Sequence, residues 1–84
     1  MPFVYILRCG DGSLYTGIAK DLDKRLAQHQ AGRASRYTRS HLPVRVAWTL
    51  EVATWSQALR EELRIKAMTR EQKEQLVRQE SENP

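Results

Sequence analysis

Two β-prone segments separated by a tight-turn signal open the chain, and this feature most limits the folds available to it. Residues 2–9 and 14–19 are rich in β-branched and aromatic side chains, and Gly-Asp-Gly-Ser lies between them. We therefore predict two strands paired as an antiparallel hairpin. Because side chains alternate between the two faces of a strand, Tyr5 and Tyr15 are expected to project from the same face.

The rest of the chain contains further helix and strand signals. Asp21, Thr54 and Thr69 are plausible N-caps, the two threonines with capping-box spacing. The predicted elements are strands at 2–9, 14–19 and 44–52, helices at 22–30, 54–68 and 70–77, an exposed loop at 33–42 and a frayed tail at 81–84. The order β-β-α-β-α-α predicts one α+β domain over residues 1–80, a small three-stranded antiparallel sheet flanked by helices. Alternate apolar residues from Val44 to Leu50 are expected on one buried face.

The charge of the chain is distributed unevenly. Net charge is +4 over 84 residues, but residues 24–50 contain six Lys and Arg and neither Asp nor Glu. Such a stretch favours a polyanion such as nucleic acid over the alternative of surface charge for solubility. The single Cys9 excludes an internal disulfide and a cysteine-rich zinc site. Without a secretory signal or a transmembrane-length segment, a cytoplasmic location and no membrane partner are predicted.

The tyrosines and the first predicted helix supply candidate site residues. Arg25 and His29 are four residues apart and share a face of that helix. Arginine is a fork-shaped donor to phosphate oxygens, and histidine transfers protons near neutral pH. The alternative to a functional site is structural: Tyr5 and Tyr15 would pack on the sheet, and Arg25 and His29 would belong to a solvated helix face.

Glu62 is the most informative acid. Its helical neighbours include Ala58, Leu59 and Ile65, which places the carboxylate on the core-facing flank, where an unpaired charge is costly. An i,i+4 salt bridge to Lys66 is the simplest alternative, but it contributes only a few tenths of a kcal/mol. A bound divalent cation explains the position better, because hard metals take carboxylate oxygen.

These positions together resemble the GIY-YIG nuclease superfamily, most closely its small stand-alone bacterial branch. Members have a tyrosine in the first strand, Tyr-x-Gly in the second, an arginine ten residues later, often a histidine one turn on, and a glutamate on a later helix. The corresponding residues here are Tyr5, Tyr15, Gly17, Arg25, His29 and Glu62. The first motif is Val-Tyr-Ile. The asparagine that many members have about a dozen residues after the glutamate is absent, and Glu74 and nearby Lys73 occupy that region.

The resemblance implies a divalent-metal-dependent endonuclease that hydrolyses phosphodiester bonds in DNA, with roles in repair, recombination or processing. Glu62 would hold Mg²⁺ or Mn²⁺, and Arg25 would stabilise charge on the phosphate. Tyr15 is the first choice as general base, Tyr5 would bind the attacking water, and these roles could be exchanged. The tyrosine would be activated by the field of the metal or by a basic neighbour such as His29. Gly17 would let the backbone approach the phosphate.

The predicted loop at 33–42 and two lysines are expected to contact nucleic acid. The expected contacts are Arg33, Arg36, Tyr37, Arg39 and His41 in the loop, with Lys66 and Lys73 elsewhere. Arginines along a backbone and an aromatic ring for base stacking favour single-stranded or branched DNA over duplex. The alternatives are a catalytically weak nucleic-acid-binding module and a subunit of a larger nuclease complex. The protein is expected to be a monomer or weak homodimer.

Overall fold

The computed structural model describes the backbone of residues 1–82 and the side chains of residues 1–79. It contains strands β1 (Phe3–Arg8), β2 (Leu14–Ala19) and β3 (Arg45–Glu51) and helices α1 (Leu22–Gln30), α2 (Arg36–Arg39), α3 (Trp55–Lys66) and α4 (Arg70–Glu82). The strands form one antiparallel sheet in the order β2-β1-β3. The predicted fold class is confirmed. The tail predicted at 81–84 instead begins as the last two residues of α4, and residues 83 and 84 lie outside the described part.

The β1–β2 hairpin forms where the turn chemistry requires it. The Asp11 carboxylate accepts hydrogen bonds from the backbone N–H and hydroxyl of Ser13, and Gly12 has a φ of 87°, which favours glycine. In the resulting register Tyr5 lies opposite Gly17, and Leu7 lies opposite Tyr15. The two tyrosines therefore share a face, as predicted.

A β-bulge in β3 overturns the prediction that its alternate apolar residues share one face. Ile6 pairs with Trp48 but Leu7 pairs with Val46, so the register shifts by one residue at Ala47. Because of the extra residue, the alternate apolar side chains before the bulge point to one face of the sheet and those after it point to the other. Val46 packs with Leu7 on one face, whereas Trp48 packs with Ile6 on the other.

Helices cover both faces of the sheet. Leu22 and Leu26 of α1 pack on the face that carries Tyr5, and Ala58 and Ile65 of α3 are fully buried on the other. Each helix thus buries a narrow apolar stripe and leaves its other side to solvent. Among the helices within residues 1–82, none is long and apolar enough to cross a membrane.

The segment 33–42 contains the short helix α2, which corrects its assignment as an irregular loop. The Ser35 hydroxyl caps this helix by accepting hydrogen bonds from the backbone N–H groups of Tyr37 and Thr38. Thr38 is fully buried, which anchors α2 against α1. A single helical turn has too few residues for apolar periodicity, so the sequence pattern does not reveal it.

Candidate active site

A chain of hydrogen bonds runs from the sheet to α2 through a buried histidine. The Tyr5 hydroxyl lies 2.8 Å from His29 Nε2, and His29 Nδ1 lies 2.8 Å from Thr38 Oγ1. Thr38 donates its own proton to the Ser35 carbonyl, so its oxygen accepts from Nδ1–H of a neutral imidazole. Nε2 is then unprotonated and accepts a hydrogen bond from the Tyr5 hydroxyl. The phenol oxygen of Tyr5 can also accept a hydrogen bond, and Arg25 is the donor that lies beside it.

Burial controls the protonation of both partners. It raises the pKa of Tyr5 above its ordinary value; Arg25 opposes this rise by hydrogen bonding and charge, while Tyr15 and Glu62 add to it. Burial also lowers the pKa of His29, and the positive charge of Arg25 contributes. The resting state is therefore a neutral phenol bound to a neutral imidazole.

Gly17 has a packing role that the sequence analysis did not foresee. A Cβ atom at this position would lie 2.6 Å from Cζ of Tyr5, so the absent side chain makes room for the phenol ring. Approach of the Gly17 backbone to a phosphate stays a prediction.

Gly17→Ala should displace the Tyr5 ring and lower the free energy of unfolding by about 1–3 kcal/mol, as overpacking does elsewhere. Urea denaturation measures this loss, and the imidazole NMR signals of His29 should shift with it. Unchanged stability together with unchanged His29 signals would contradict the packing role.

The buried histidine should make stability depend on pH. Because the folded pKa of His29 lies below its unfolded value, the unfolded chain binds more protons, and acid favours unfolding. The contribution of His29 to stability should be constant above the unfolded value of about 6.5 and fall below it, by at most about 1.4 kcal/mol per pH unit. Denaturation midpoints between pH 7.5 and 5.5 test this. His29→Gln should flatten the slope over that range; an unchanged slope would assign the effect to another group.

Arg25, Tyr15 and Glu62 surround the Tyr5–His29 pair. Arg25 and Glu62 lie close enough to act electrostatically on Tyr5, and the Tyr15 ring meets His29 edge-on with centroids 5.3 Å apart. Four elements (β1, β2, α1 and α3) thus bring the five predicted catalytic residues to one place. Thr38 was not predicted as a site residue, but it hydrogen-bonds the second ring nitrogen of His29. The sequence signal for it was weak: Thr38 lies nine residues after His29, within the predicted loop.

The Glu62 carboxylate fits a cation that keeps most of its own water. Its side chain is 17% exposed, and its Oε2 lies 3.4 Å from Nζ of Lys66, whereas Glu61 pairs with Arg64 instead. Within the described residues, no group of three or more His, Cys, Asp or Glu side chains could cage a metal. A single carboxylate completed by water and phosphate oxygens suits Mg²⁺.

The predicted nucleic-acid contacts divide between two surfaces. Arg33, Arg36 and Arg39 line one depression of about 210 Å³ beside α2. Tyr37 faces away from them: its hydroxyl donates to Ser13 Oγ at 2.5 Å, and its ring stacks on His41 with centroids 4.3 Å apart.

Lys66 and Lys73 line a groove on the Tyr37 side, together with Tyr15. Tyr37 is 40% exposed, but one face of its ring already stacks on His41. Less of the ring is therefore available to a base than the prediction of an open loop implied. Its role in base stacking stays a prediction.

Comparisons with known proteins identify the family of the chain. The family model of the GIY-YIG catalytic domain matches residues 1–75. UPF0213 proteins from Staphylococcus epidermidis and Staphylococcus aureus are each 43% identical over 77 residues, covering 92% of this chain and 94% of theirs. The solution NMR structure of a UPF0213 protein from Bacillus halodurans is 39% identical, with a TM-score of 0.64 over 99% of this chain and 89% of that one. The chain therefore belongs to the GIY-YIG family of nuclease domains.

Proposed function

We propose that this protein is a divalent-metal-dependent endonuclease that hydrolyses phosphodiester bonds in DNA, preferably single-stranded or branched. The observation that carries the proposal is the Tyr5–His29 hydrogen bond in a site that also holds Arg25 and Glu62. A tyrosine, a proton acceptor behind it, a phosphate-binding cation and a metal-binding carboxylate are the groups that hydrolysis of a phosphodiester requires.

Tyr5 is better supported as the general base than Tyr15. Its proton is already directed at His29 Nε2, so the phenol oxygen can take a proton from water as its own proton passes to the imidazole. The imidazolium would be stabilised by the hydrogen bond from Nδ1–H to Thr38. By contrast, no described side chain of residues 1–79 and no described backbone group accepts a hydrogen bond from the Tyr15 hydroxyl. Tyr15 would orient the imidazole and the substrate.

Arg25 and Glu62 would act on the phosphate from two sides. The Arg25 guanidinium, half-buried beside Tyr5, would stabilise the charge that develops on the non-bridging oxygens. Glu62 would hold Mg²⁺ or Mn²⁺, which supplies further charge neutralisation when bound. Lys66 would then exchange its contact with Glu62 for a phosphate oxygen.

The surface around the site supports a flexible, unpaired strand as substrate. Three arginines of one depression, Arg33, Arg36 and Arg39, would follow the phosphates, and the exposed part of Tyr37 would contact a base. A four-residue helix is too short to read a major groove.

A cleavage assay tests the proposal. Labelled single-stranded, duplex and forked DNA and single-stranded RNA are incubated with the protein in Mg²⁺, Mn²⁺ or EDTA. We expect cleavage of single-stranded and forked DNA with either metal and none in EDTA, with binding that weakens steeply as salt increases. Salt-sensitive binding without cleavage of any substrate would contradict the enzymatic proposal and favour a binding module.

A further inference from the structure

A groove of about 320 Å³ runs along the outer side of the edge strand β2, next to the candidate active site. It is lined by Leu14, Tyr15, Thr16, Tyr37, Lys66 and Lys73. Two of these residues are cationic and none is acidic. Because Lys66 Nζ lies 3.4 Å from Glu62 Oε2, the groove begins beside the predicted metal-binding carboxylate.

Thr16 in this groove has an unsatisfied hydroxyl. The residue is 4% exposed, and its Oγ1 has no hydrogen-bond partner within the described part of the chain. Buried hydroxyl groups are nearly always paired, because leaving one unpaired costs free energy that the folded state must offset elsewhere. Thr16 also lines the cationic groove, so this unsatisfied hydroxyl lies in the groove wall.

Lys73 adds an unpaired charge to the same groove. Its side chain is half-buried, and among the described side chains no carboxylate lies within ion-pair distance of it. The neighbouring acid on α4, Glu74, is taken up by a bidentate pair with Arg8 at 2.7 Å. The Lys73 ammonium therefore remains available to an anion.

We propose that this groove binds the phosphate of the nucleotide next to the scissile one, held by Lys66, Lys73 and the Thr16 hydroxyl. The inference rests on the proposed function, since it places the groove within the path of a nucleic acid strand. Leu14 and Tyr37 give the groove an apolar wall for the sugar or base. An adjoining depression of about 240 Å³ continues the path past Arg70, so a strand would meet cations on α3 and then on α4.

Binding of thymidine 3′,5′-bisphosphate, compared with inorganic phosphate, tests the subsite. The full-length protein is titrated in EDTA by calorimetry, with backbone NMR shifts to locate the ligand. Thr16→Val removes the hydroxyl without changing shape, Lys73→Ala removes the charge, and Arg78→Ala, an exposed position on another side of α4, is the matched control. We expect each of the first two variants to weaken bisphosphate binding about tenfold, as loss of a charged hydrogen bond does, and the control to bind like the parent.

Thr16→Val should also raise the thermal midpoint without ligand, because it removes an unpaired buried polar group. A purely structural Thr16 would move the midpoint without changing the dissociation constant, and that result would overturn the subsite. Equal affinity for inorganic phosphate and bisphosphate would overturn the assignment to a nucleotide.

The subsite and the proposed function fail in distinguishable ways. Metal-dependent cleavage of DNA, combined with unchanged bisphosphate binding in both variants, would contradict the proposed subsite and support the proposed nuclease function. Bisphosphate binding that maps to Thr16 and Lys73, in a protein that cleaves no substrate, would support the subsite and remove the enzymatic function.

Discussion

Glu62→Ala should reduce metal-dependent cleavage by roughly 10²–10³-fold or more, the size of effect seen when one group that stabilises transition-state charge is removed. The fold should persist, because the variant loses only an i,i+4 ion pair with Lys66 and gains the helix propensity of alanine. We expect the free energy of unfolding to change by less than about 0.5 kcal/mol. Single-turnover cleavage rates and urea denaturation of the same preparations measure both effects.

Glu61→Ala is the matched control on the same helix. Glu61 pairs with Arg64 at 2.7 Å, and it is not among the charges that act on Tyr5. This variant should retain the parental cleavage rate. If Glu62→Ala unfolds, or if it cleaves as well as Glu61→Ala, then the role of Glu62 is to stabilise α3 and its assignment as a metal ligand is wrong.

Tyr5→Phe should abolish cleavage and also destabilise the protein. The ring still fills its place over Gly17, but Nε2 of the buried His29 loses its hydrogen-bond donor. An unpaired buried acceptor costs about 1–3 kcal/mol. Activity must therefore be measured well below the denaturation midpoint of the variant, where it is fully folded.

Tyr15→Phe separates the two tyrosines. Since no described residue hydrogen-bonds the Tyr15 hydroxyl, this variant should keep the parental stability and a substantial part of the cleavage rate. Complete loss of activity in Tyr15→Phe with full activity in Tyr5→Phe would restore Tyr15 as the base. Full activity in both variants would exclude tyrosine from proton transfer.

The sequence by itself determined the elements whose signals are local. The Asp11–Gly12 turn specified the hairpin, and alternation then placed Tyr5 and Tyr15 on one face. Helical spacing put Arg25 and His29 on one side of α1. The same local spacing carried the family motif, which is why the resemblance identified the family before any distance was known.

Tertiary structure decided the features that depend on residues distant in sequence. The bulge at Ala47 divides β3 between two covered faces, a choice made by packing on both sides of the sheet and invisible to simple alternation. His29 is fully buried between the rings of Tyr5 and Tyr15 and the helix α2, which brings Thr38 to its Nδ1.

The groove likewise joins residues that no sequence spacing relates. Thr16 lies on β2, Lys66 at the end of α3 and Lys73 on α4. The sequence supplied the chemical groups and their local directions. Packing of helices on both faces of the sheet decided which groups meet. Local periodicity does not specify contacts between distant residues, whereas burial and hydrogen bonding do.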